Sequence, residues 1–216
     1  MLFRVNLLFS VWLAILSPAP ADATETFDAV LERMQFTENQ HFRYQETRHL
    51  ALLTQPWIAT GDMFITADGM VMAQQSPASI LTKITKDKLE YFDTENDIQR
   101  TIPLKQAFAV PGMAPFLQML YPGEQHSRLE ENYQTSFSLE KNRWKLVMGP
   151  RQIDKNKIRA MTLSGSQGNG PDFLKLEYTD GDQTEWQLSL LAQGQDVADR
   201  LKRILDSIKE TNAFED

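Results

Sequence analysis

Past residue 26, hydrophobic positions fall at a spacing of three and four: Phe27, Val30, Leu31 and Met34. That period places them on one side of a helix, so a short amphipathic helix is predicted there. After about Asn39 the period drops to two. Phe42, Tyr44, Glu46, Arg48 and Leu50 alternate with Arg43, Gln45, Thr47 and His49, the pattern of a long strand with two unlike faces. Pro56-Trp57 ends it. Further strands are predicted at 59–66, 69–75, 79–86, 88–94 and 97–102, with Asp68-Gly69 and Lys86-Asp87 where hairpin turns are needed. A second group follows at 131–139, 142–149, 157–165, 172–179 and 183–191. In it, Trp144, Leu146, Met148 and Trp186, Leu188, Leu190 form alternating triplets. Val197, Leu201, Ile204, Leu205 and Ile208 close the chain, spaced as a helix face after Gly194.

Residues 102–122 break this rhythm. They are mostly apolar, Lys105 is their only charge, and Pro103, Pro111, Pro115 and Pro122 cut them into short helical pieces. No linker or shift in composition divides the rest of the chain. The economical architecture is α+β: one domain over 24–216, with about eleven strands in a single large, curved antiparallel sheet and helices packed on one face.

The N-terminus reads as a secretory signal peptide over residues 1–23. Arg4 supplies a positive start, Leu7 to Leu16 an apolar run, and Ala21-Asp22-Ala23 a small-residue cleavage site. The apolar run is about half of the ~20 residues needed to span a bilayer. Cleavage would leave Thr24 first and place the mature protein in the periplasm. No cysteine is present, so neither a lipid anchor nor a disulfide is expected. With 22 Lys and Arg against 29 Asp and Glu, the net charge is -7, which argues against nucleic acid as a partner.

The catalytic inventory is thin. His41, His49 and His126 lack metal-ligand spacing, and each reads as solvent-facing. Ser164-Gly165-Ser166-Gln167-Gly168 falls short of a nucleophile elbow and has no helix after it, so it reads as a flexible hairpin loop. Asp180-Gly181-Asp182 is a turn and not a calcium loop. No catalytic residue, metal or cofactor is expected. Glu46 and Arg48 share a face with Phe42, Tyr44 and Leu50, and are either a structural ion pair or a polar handle in a binding site.

What remains is a surplus of flexible and aromatic apolar residues. Tyr44, Met63, Ile65, Met70, Met72, Ile80, Ile84, Leu89 and Tyr91 lie in the first group of strands. Met113, Phe116, Leu117 and Leu120 lie in the proline-broken segment, and Trp144 and Leu146 in the second group. Methionine adapts to irregular apolar shapes, so these positions are either ordinary core or a face that accepts a hydrophobic ligand.

Taken in order, several motifs resemble the periplasmic outer-membrane lipoprotein carriers, the LolA-like family. They are Tyr44-Gln45-Glu46-Thr47-Arg48, Leu52-Leu53, Pro56, Gly61-Asp62-Met63, Pro77 with Ile80, Lys86-Asp87-Lys88-Leu89-Glu90-Tyr91 and Leu117-Gln118-Met119-Leu120-Tyr121-Pro122-Gly123-Glu124. Trp144 to Pro150, Ile158 to Gly165 and Asp180-Gly181-Asp182 continue the series. The resemblance implies an unclosed half β-barrel whose concave face is lidded by helices. It also implies a monomeric, non-enzymatic carrier of lipoprotein acyl chains between an inner-membrane donor and an outer-membrane acceptor, without stable membrane insertion. One feature departs from the pattern: the stretch Phe64 to Gly69 lacks the Arg that helps hold the family's lid closed. A divergent branch is therefore expected, whose cargo is a lipoprotein or another lipid or hydrophobic product. The alternatives are a module that docks a protein of an envelope export machine, or an enzyme acting on lipid.

Overall fold

A computed structural model describes residues 25–85, 87–103, 131–152 and 158–213. The expected signal peptide at 1–23, most of the proline-broken segment and His126 lie outside the described residues. The chain runs α1 (Phe27–Met34), β1 (Gln40–His49), β2 (Trp57–Thr66), β3 (Gly69–Ser76), β4 (Ile80–Ile84), β5 (Lys88–Asp93) and β6 (Ile98–Pro103). After the gap come β7 (Tyr133–Glu140), β8 (Arg143–Pro150), β9 (Ile158–Ser166), β10 (Phe173–Tyr178), β11 (Gln183–Gln193) and α2 (Gln195–Ala213).

All eleven strands form one antiparallel sheet in the order β6-β5-β4-β3-β2-β1-β11-β10-β9-β8-β7. The two meanders are the two arms of this sheet. They are joined at its centre by β1 and β11, paired from Gln40 opposite Gln193 to His49 opposite Gln183. The edges β6 and β7 do not meet, so the molecule is an unclosed half-barrel. Flat, eleven strands at about 4.8 Å spacing would stretch roughly 50 Å. Instead, one buried cluster runs unbroken from Leu89 on β5 to Met148 on β8, which a coiled, twisted sheet allows.

Helix α1 opens on Thr26, whose hydroxyl accepts a hydrogen bond from the Ala29 amide at 3.2 Å. Its apolar stripe of Val30, Leu31 and Met34 joins the large cluster. Helix α2 behaves differently from expectation. Gly194, at φ 98°, turns the chain sharply after β11 and sends the helix to the other side of the sheet. There Val197 and Leu201 bury against Phe64, Val71 and Leu81. The two described helices therefore cover opposite faces, where the sequence reading placed them on one. Periodicity shows that a helix has an apolar stripe but not which side of a sheet receives it.

This second layer also corrects the reading of His41. It is fully buried, stacked on Phe64 with ring centroids 4.4 Å apart, and hydrogen-bonded through Nε2 to Asp62 Oδ1 at 2.9 Å. Gln75 donates to the other Asp62 oxygen at 2.7 Å. Only this end of β1 is covered on that side: Arg43 and Gln45, further along the same side, are exposed. His49, at the end of β1, is exposed as expected.

Candidate functional site

The large apolar face is the principal candidate. Tyr44, Met63, Ile65, Met70, Ile84, Leu89, Trp144 and Leu146 meet in one cluster, with Met72 and Tyr91 packed against it. Ile80 is half-buried and stands outside the cluster. Met113, Phe116, Leu117 and Leu120 lie outside the described residues. The pairing explains the convergence: Met63 opposes both Phe42 and Met72, and Ile65 opposes Met70, which in turn opposes Ile84. Directly opposed residues share a face, so every such row adds to one surface.

Sequence reasoning underweighted the second arm. Met148, Met161, Leu163, Leu174, Leu176 and Leu188 lie on the same face, as do the three apolar residues of α1. The alternation of Leu174 and Leu176, and of the triplets noted above, was the available signal.

Helix α1 is held to this face by a polar latch. The carboxylate of Glu25 is almost fully buried and pairs with the Arg33 guanidinium. Its other oxygen accepts a hydrogen bond from the Gly168 amide at 3.1 Å. Arg33 also donates to the Asn169 carbonyl at 3.3 Å, and the Trp144 indole donates to that same oxygen at 3.1 Å. Arg143 grips Asp172 with two hydrogen bonds of 2.6 and 3.0 Å. The Gly-rich stretch at 167–170, at the end of the segment expected to be a flexible hairpin, is thus held by Glu25, Arg33 and Trp144 and serves as the seat of α1. Its residues carry few side chains, so its backbone groups are free to bind distant partners.

One corner of the face is polar. Arg48 Nε donates to Glu46 Oε1 at 2.6 Å, and its guanidinium lies over the Trp57 ring, 4.5 Å from the centroid. Glu46 is buried, whereas the Arg48 side chain is 45% exposed, so the pair spans from core to rim. Tyr44, next inward on β1, has its phenol pushed above the ordinary range, first by burial and then by the Glu46 charge. Tyr178 is raised for the same leading reason, and its hydroxyl is hydrogen-bonded to Thr184. Among the described residues no group of His, Asp and Glu could hold a metal ion.

No protein-family model matches the sequence, and no curated protein matches it. Weak similarity is found to solved structures, all with TM-scores below 0.5. A LolA superfamily protein from Nitrosomonas europaea aligns at 9% identity and a TM-score of 0.41, over 78% of this chain and 94% of that one. A DUF1329 family protein from Desulfovibrio piger aligns at 8% identity and a TM-score of 0.41, over 77% and 89%. The lipoprotein LppX of Mycobacterium tuberculosis aligns at 11% identity and a TM-score of 0.35, over 76% and 95%.

Proposed function

We propose that this protein is an exported carrier that shields acyl chains of a lipoprotein or another lipid against the apolar face of its half-barrel. The observation behind this reading is the single apolar surface that crosses the sheet from arm to arm. It is rich in methionine and overlaid, among the described helices, by eight-residue α1. Met34, Met63, Met70, Met72, Met148 and Met161 all contribute to it. Unbranched thioether side chains repack around varied shapes at small cost, which suits a face that must be filled both with and without cargo. Burial of hydrocarbon supplies the affinity. At ~0.8 kcal/mol per CH₂, one long acyl chain gains on the order of 10 kcal/mol before entropic losses. Such a carrier needs no chemical step.

Export rests on the N-terminal pattern of a short positive start, a short apolar run and a small-residue cleavage site. Among the described residues no helix is long and apolar enough to cross a membrane. The mature protein would begin at Thr24 and move cargo from an inner-membrane donor toward an outer-membrane acceptor.

Native mass spectrometry of protein isolated from its own periplasm tests the reading. Co-purifying lipid, lost on delipidation and regained from added lipid, is the expected result. A protein bound in fixed stoichiometry to the empty face would replace the carrier by a docking module. Turnover of the added lipid would replace it by an enzyme.

A further inference from the structure

The polar corner has an order that an acyl carrier alone does not require. At the rim, Arg48 spends only its Nε on Glu46, and its two terminal nitrogens have no partner among the described residues. The Trp57 ring beneath it fixes the plane of the guanidinium. One step inward on the β1–β11 pairing, Trp186 stands opposite Glu46 on the same face. Its indole nitrogen is buried and has no hydrogen-bond partner among the described residues. Buried donors are nearly always paired, so an open one beside a half-used guanidinium marks a place for an acceptor. Beyond it the apolar face begins, with Tyr44, Leu188 and Met63.

From water inward, the sequence of groups is therefore a forked cation, a single N–H donor, then hydrocarbon. We propose that this corner binds the anionic head of an acyl amphiphile, a carboxylate or a phosphate, with its chain laid along the apolar face. The inference rests on the carrier reading and narrows its cargo. Two parallel N–H groups of Arg match the paired oxygens of either head. Trp186 donates to the oxygen lying one step further in. Glu46 offsets part of the Arg48 charge when the corner is empty and orients the fork toward the rim. The attraction is local, because the whole chain carries a net charge of -7.

The test uses the mature chain and three ligands that share one oleoyl chain: oleate, oleoyl-lysophosphatidic acid and monooleoylglycerol. Each is titrated calorimetrically below its micelle concentration. Both anions should bind at least about ten-fold more tightly than the neutral glyceride, the scale expected of charge-assisted hydrogen bonds. Arg48→Gln should erase that preference while leaving monooleoylglycerol within about two-fold, and Glu46→Gln should strengthen both anions. Trp186→Phe keeps the ring and removes the donor, and should weaken the anions several-fold. Whichever anion binds more tightly identifies the head. Arg48→Lys, which keeps charge without the fork, should recover part of the preference and guards against a folding defect in Arg48→Gln. Equal binding of all three ligands overturns the head-group site and leaves the carrier intact. Equal weakening of all three by Arg48→Gln also overturns it, since the residue then only supports the fold. Binding of none removes the carrier reading and the site together.

Discussion

Tyr44 and Gly165 show how single residues report on the packing of this face. The Tyr44 phenol is held protonated in the folded protein beyond the pH near 10.0 at which an exposed tyrosine ionises, first because it is buried and then because Glu46 is adjacent. Its stabilising contribution is complete below pH 10. It is lost as pH rises above that value, because the unfolded chain ionises first. Thermal melts at pH 7 and about pH 11 should show an alkaline loss in the native protein that is smaller in Tyr44→Phe; Tyr133 and Tyr178, also raised by burial, keep the remainder. Gly165 fails for a steric reason. A Cβ there would meet the Gly170 carbonyl and press on the Trp144 ring at 2.7 Å. Gly165→Ala should cost about 1–3 kcal/mol in urea unfolding, and Gly170→Ala, which meets open space, about none. Equal effects would mean that the Trp144 ring yields freely.

At the scale of elements, α1 depends most on tertiary contacts. Eight residues are too few to hold a helix in water, so its place depends on three buried side chains and the Glu25–Arg33 latch. Arg33→Ala leaves a buried carboxylate with only the Gly168 amide, and should cost about 1–3 kcal/mol. Glu25→Gln keeps an acceptor for that amide and should cost less. Hydrogen exchange should show amides of Val30 to Met34 losing protection in Arg33→Ala while β1 and β11 keep theirs. Uniform loss across the sheet would make the latch part of the global core.

For the whole molecule, the pairing of β1 with β11 decides cooperativity. Each arm of the sheet ends on this central pair, and the large cluster draws side chains from both. The protein should therefore unfold in one transition. Trp57 reports on the first arm and Trp144 on the second, so single Trp→Phe variants can follow each arm by fluorescence. Midpoints that coincide are expected, and two separated midpoints would mean that the arms are independent domains.

The positions of the strands and of both helices were legible in the residues, because periods of two and of 3.6 are local properties of the chain. Trp144, Leu146 and Met148 state their face without help, and the Glu46–Arg48 pair could be placed on one side of β1 by counting. Three things could not. The side of the sheet taken by α2 depends on a turn at Gly194 and on which face has room. The burial of His41 comes from its stacking on Phe64 and its bond to Asp62, while Arg43 and Gln45 on the same side of β1 stay exposed. The seat of α1 joins Glu25 to Gly168 and Arg33 to Asn169 across more than half of the chain, through backbone groups that any residue could supply. A local pattern can say that a side chain is apolar or charged. Which partner satisfies it is set only when the sheet brings distant segments together.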